Sequence, residues 1–173
     1  MNELNLMDRH ALYRYIGPDA IRARATQEPP GRVITGREEL ADWLHGHPEA
    51  FREGATFVID DQGALRLAPR RTEHVACAGG GPVRAAGELR FELRQGSAAV
   101  VEASNQSTGY APGPHSWRAL AAALDALGIE HPRGYTTAFE FRRCPRCDQL
   151  NVIKEGWFYC GACNARLPLE SNL

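Results

Sequence analysis

Hydrophobic positions change their period along this chain, and the changes divide it. Over residues 1–54 the spacing is helical. Residues 8–16, DRHALYRYI, put Leu12, Tyr15 and Ile16 on one face with Asp8 as a cap, which predicts a first helix. Gly17-Pro18 breaks it, and Pro18 suits the first turn of a second short helix reaching about Arg24. Beyond the Glu28–Gly31 loop, Thr35 and Glu38 have the spacing of a capping box, with Leu40, Trp43 and Leu44 as the buried face of the helix that follows. Pro48 starts one more turn, which ends near Gly54.

From Thr56 the period is two. Thr56 to Ile59 and Ala64 to Ala68 read as a hairpin around Asp60-Asp61-Gln62-Gly63. Glu88 to Arg94 alternates Leu89, Phe91 and Leu93 with charged residues, and Gln95-Gly96-Ser97 turns it into Ala98–Ala103. Helical spacing returns in SWRALAAALDALG, with Ser116 as cap, Trp117, Leu120, Leu124 and Leu127 as core side and Gly128 as stop. Thr136–Phe141 reads as a last strand. The expected fold class is α+β: N-terminal helices, a small, mostly antiparallel sheet with a packed helix, and a C-terminal zinc ribbon. The expected units are a helical segment over 1–54, an α+β core over 55–133 and the ribbon over 134–173.

The ribbon is read from its cysteines. Cys144 and Cys147 form one Cys-x-x-Cys pair, and Cys160 and Cys163 form a second. Two such tight turns aim four thiolates at one point, the pattern of a closed tetrahedral site, so one structural Zn2+ is the expected cofactor. Such an ion stabilises a segment with little core of its own. Val152, Ile153, Trp157, Phe158 and Tyr159 are expected in a hairpin between the two cysteine turns. Cys77 stands apart and reads as a small buried residue.

Composition narrows the function classes. With 43% apolar and 24% charged residues and a net charge of −1, the chain has neither an acidic tail nor the basic excess of a polyanion binder. Nineteen of its twenty basic residues are Arg, as in proteins from GC-rich bacterial genomes. No apolar run has the ~18 residues a membrane span needs, so no membrane association is expected. The first ten residues lack the apolar core of a signal peptide, and with reduced cysteines this points to the cytoplasm. Residues 134–173 carry five basic and four acidic groups, a net of +1, so nucleic acid is the less favoured partner even though Arg142, Arg143 and Arg146 lie near Trp157 and Tyr159 in the chain.

Two irregular polar stretches, Glu73–Glu88 and Ser104–Pro114, follow strands and are expected at one rim of the sheet, where loops carry binding groups. His74, Glu88 and Asn105 are the candidate catalytic residues. Gly80, Gly81, Ser107, Thr108 and Tyr110 are the candidate ligand-binding residues. The glycines allow close backbone approach but lack the Lys-Ser/Thr of a phosphate-binding loop.

His74 to Glu88 resembles a segment of pattern H-S-S-x-x-A-G-G-P-V-x-A-A-G-E, which is followed, after a strand pair, by S-G-H-Y-x-P and a helix. That pattern occurs in domains of plant calmodulin-binding IQ-motif proteins and of bacterial proteins, some of them effector-like. His74, Gly80-Gly81-Pro82-Val83, Ala85-Ala86-Gly87-Glu88, Ser107, Tyr110 and Pro112 match it. Val75 and Ala76 replace the two serines, and Gly109 replaces the second histidine. The resemblance spans about residues 56–130 and implies one compact α+β domain; the IQ motif itself is absent. Three functions compete. The first is a small-molecule-binding or catalytic core. The second is an adaptor that binds protein or nucleic acid through the ribbon. The third is a non-enzymatic toxin, immunity or regulatory component.

Overall fold

The computed structural model describes residues 11–173. Its elements in chain order are α1 (Asp19–Ala25), β1 (Arg32–Val33), α2 (Arg37–Gly46), α3 (Ala50–Glu53), β2 (Ala55–Asp60), β3 (Leu65–Pro69), α4 (His74–Cys77), β4 (Val83–Arg94), β5 (Ser97–Ser104), α5 (Trp117–Leu127), β6 (Glu140–Arg143) and β7 (Leu150–Ile153). The fold is α+β. Five antiparallel strands run in the order β1-β3-β2-β4-β5, and β6 and β7 form a separate antiparallel pair.

The five-stranded sheet is covered on both faces, and all six residues of β2 are buried. On one face Phe57, Ile59, Leu89 and Phe91 pack against Leu40, Trp43 and Leu44 of α2 and Leu120 and Leu124 of α5. On the other, Val58 and Ala86 pack against Val75, Ala76 and Cys77 of α4, Ala25 of α1, and Tyr110. The alternation of side chains along a strand separates the two sets. The β2–β3 turn is held by Asp60, whose carboxylate accepts N–H bonds from Gln62 and Ala64 at 3.0 and 2.9 Å and pairs with Arg66 at 2.9 Å. The outer edge of β5 is covered: Val100 N–H donates to Glu130 O, and Thr136 N–H to Ala103 O. This blocks the strand addition that bare sheet edges invite.

Several local expectations are corrected. The expected helix over 8–16 begins outside the described residues, and from Ala11 to Gly17 the chain is not helical. Tyr13 exchanges backbone hydrogen bonds with Val83, and Tyr15 packs edge-on against Tyr110 at 5.7 Å. Tyr13 and Tyr15 are half-buried while Leu12 and Ile16 face solvent, so the realised period is two. The Thr35–Glu38 capping box does not form; Gly36 is the N-cap of α2 and makes no side-chain cap bond. The Ser116 hydroxyl bonds the Tyr135 hydroxyl at 2.8 Å instead of capping α5.

The first polar stretch is more regular than its composition implies. His74–Cys77 forms the short helix α4, and Val83 to Gly87 already belong to β4. Pairing with β2 extends the strand, because Ala85 and Ala86 are small enough to lie between two packed layers. In the expected 136–141 strand, Glu140 and Phe141 join the regular strand β6, while Thr137 makes an isolated parallel bridge to Ser104. The ribbon hairpin also differs. β7 pairs with β6, in front of the first cysteine turn, while Trp157 pairs back onto Lys154 and Tyr159 onto Arg166.

Candidate metal centre and polar loops

Each cysteine pair sits on a tight turn closed by its own backbone. Asp148 N–H donates to Cys144 O, and Asn164 N–H donates to Cys160 O, both in left-handed turns. The strand pair β6–β7 brings the two turns together. The four sulfurs then lie within 4.8 Å of one another, with Cys144–Cys163 and Cys147–Cys160 each at 3.6 Å. The cysteines are positioned to bind a metal ion.

Their electrostatics favour one. Backbone N–H from Cys163, then N–H from Ala162 and the Asn151 amide, hold the Cys160 thiol down to about 6 against the effect of burial. Cys147 receives the Gln149 N–H, which favours its thiolate. Its neighbours Cys163, Cys160 and Cys144, together with burial, outweigh this and push it up to about 12. Four thiols this close cannot all ionise unless a cation balances them. Cys144, Cys160 and Leu167 form the ribbon's small core, with Ile153 and Phe158 packed against it.

Packing engages Arg142 and Arg143 of the expected basic cluster, while Arg146 is exposed. Arg142 is 6% exposed. Its guanidinium donates to the carbonyls of Pro168, Phe141 and Leu169 at 3.1, 2.8 and 2.7 Å and lies over the Phe158 ring. Arg143 donates to Asp148 O at 3.0 Å. Arg142 is not free to meet phosphate. Trp157 and Tyr159, by contrast, are 65% and 41% exposed and lie against each other with ring centroids 4.9 Å apart.

In the core, the candidate residues gather around Gly87, but their polar atoms are engaged by the protein itself. His74 Nε2 lies 2.9 Å from Gly87 O. Burial lowers its pKa from the ordinary histidine value, opposed by the Gly87 carbonyl and by Glu88 and Glu73. Glu88 lies 3.6 Å from Arg70 at the edge of a cleft of about 450 Å³ at the end of the sheet. Asn105 is fully buried; its amide donates to Pro112 O and Phe139 O, both at 2.8 Å, and accepts Phe139 N–H at 2.7 Å.

The two polar stretches do meet. Tyr110 donates its hydroxyl to Gly81 O at 2.6 Å, and burial pushes its phenol upward. Ser107 is buried and closes its own loop, its hydroxyl accepting the Tyr110 N–H at 3.4 Å, while Thr108 is exposed. Gly80 adopts φ +86° and bonds Val75 O. Cys77 is buried with its thiol pushed up to about 12. Among the described residues, no buried side-chain nitrogen or oxygen lacks a partner.

The sequence reading missed Arg70, which faces Glu88, and Asn151, which bonds Cys160. Neither belongs to a motif, so only the folded register could reveal them. No family model, curated protein or solved structure matches the chain. Among the described residues, no helix is long and apolar enough to cross a membrane.

Proposed function

We propose that this is a zinc-clasped protein-binding module that meets its partner through the ribbon. Zinc suits the donors: four thiolates at Zn–S of about 2.3 Å make a tetrahedron with edges of about 3.8 Å, close to the 3.6 Å sulfur pairs found here. Four protein ligands leave no open coordination position, so the ion's role is to hold shape. The observation that carries the docking reading is the Trp157–Tyr159 pair, exposed on a segment the metal clamps. Rigid exposed aromatics are the anchors that protein interfaces use most. A zinc ion with four thiolates adds −2 to the +1 of residues 134–173, which disfavours nucleic acid.

A photo-crosslinker placed at the exposed Glu155 tests this in the native cells. The expected result is a discrete protein adduct that Trp157→Ala abolishes while zinc remains bound. An adduct removed by nuclease would favour nucleic acid instead. An adduct indifferent to Trp157→Ala would remove the docking role.

The cleft beside Glu88 favours a second reading, a small-molecule site in the core. Arg70 and Glu88 face each other loosely there, and Arg52, Glu53, Arg90 and Glu102 also line the cleft, so both signs of charge are presented, which suits a zwitterionic ligand. A thermal shift with amino-acid-like ligands that Glu88→Gln abolishes would support it, and no shift with any of them would remove it. His74 and Asn105 then act as supports for the cleft wall.

A further inference from the structure

Asn151 connects the two cysteine turns. It lies on β7, opposite Arg142. Its Nδ2 donates to Gln149 O at 2.8 Å, on the return from the first cysteine turn, and to Cys160 Sγ at 3.5 Å, in the second. Its Oδ1 accepts the Gly161 N–H at 2.9 Å. The amide orientation follows from these partners. Turned over, it would set an NH2 against the Gly161 N–H and an oxygen against both the Gln149 carbonyl and the sulfur.

Cys160 Sγ also receives the Ala162 N–H at 3.4 Å. With the Cys163 N–H, three N–H groups converge on this one sulfur, and of these the Asn151 one comes from a side chain rooted in the opposite half of the ribbon.

We propose that Asn151 is a positioning residue for the metal centre, orienting the Cys160 thiolate and latching one cysteine turn to the other. This rests on the zinc reading above. The physical basis is twofold. An N–H donated to a thiolate withdraws charge from the sulfur and fixes its lone-pair direction. The Gly161 and Gln149 bonds hold the donor in place, so its aim does not depend on the metal. Asn151 thus organises Cys160 before the ion arrives and slows its departure.

The test uses the full chain, with Zn2+ affinity measured by chelator competition and Co2+ as a spectroscopic probe. Asn151→Ala should weaken zinc binding by about 10-fold or more, the usual range for loss of a partner to a metal ligand. It should also shift the sulfur-to-cobalt charge-transfer band, because Cys160 loses a donor. Asn151→Asp keeps an acceptor for Gly161 but no donor for Cys160, so it should not restore either property. A wild-type chain that binds no zinc overturns the zinc reading and this inference together. A wild-type chain that binds one zinc, with Asn151→Ala matching it in affinity and cobalt band, overturns the role of Asn151 alone. A weakened affinity with an unshifted band reduces Asn151 to ordinary packing and overturns the proposal as well.

Discussion

Asn105 holds the peptide of Phe139 at both ends, donating to its carbonyl at 2.8 Å and accepting its N–H at 2.7 Å. One side chain thus does what a neighbouring strand would do, and it ties the end of β5 to the segment leading into the ribbon. Asn172 makes the same double contact with the Arg143 peptide, at 3.0 and 2.7 Å.

Asn105→Ala should therefore unfold rather than merely inactivate. It removes the partner of Pro112 O in a buried place and of both polar groups of the Phe139 peptide in a half-buried one. An unpartnered buried group costs about 1–3 kcal/mol, so a loss of about 2 kcal/mol or more is expected in urea titration. A loss below about 1 kcal/mol, the net worth of a single bond, would mean that water replaces the amide.

Gly87→Ala should be among the most damaging substitutions in the sheet. A Cβ there would overlap the Ser104 carbonyl oxygen and lie 2.7 Å from Ser104 C and 3.0 Å from Asn105 Cα. These are backbone atoms, so no rotamer change relieves the clash, and the end of the β4–β5 pairing must open. The expected cost is about 3 kcal/mol, the upper range of overpacking. A circular-dichroism melt unchanged from wild type would show that the strands part without penalty.

His74 should make stability fall with acid. Burial holds its ring neutral below the ordinary histidine pKa. As pH drops through about 6.5, the unfolded chain takes up a proton that the folded chain refuses, so the unfolded state gains. The urea midpoint should fall between about pH 7.5 and pH 5, and the fall should be smaller in His74→Gln, which removes the titrating ring. Equal slopes in the two proteins would assign the acid sensitivity to other groups.

Chelation should release one zinc per chain and loosen the ribbon selectively. With Leu167, Ile153 and Phe158 the ribbon has too small a core to order itself. Hydrogen exchange should lose protection in β6 and β7 and keep it in β2 and β4, whose side chains pack independently of the cysteines. Unchanged protection in β6 and β7 after metal loss would overturn the clasp.

Much of this architecture was legible because it rests on local rules. Asp60-Asp61-Gln62-Gly63 and Gln95-Gly96-Ser97 turn where their composition says they should, and α5 buries Leu120 and Leu124 and stops at Gly128 in the left-handed conformation. The residues around Tyr13 were misread because a nine-residue window satisfies helical and extended periods alike, and the pairing with Val83 decides between them.

The amino-acid sequence by itself determined the α+β class, the main strands and the four-cysteine site, since each depends on spacing within one short segment. Tertiary structure alone decided how the polar residues are used. Arg142 reads as a surface cation and is buried among carbonyls; Asn105 reads as a catalytic group and Tyr110 as a ligand group, and each bonds backbone that is distant in the chain; Asn151 carries no motif and reaches Cys160. A side chain's hydrogen-bond partners come from wherever the chain returns in space, and no local pattern encodes that return.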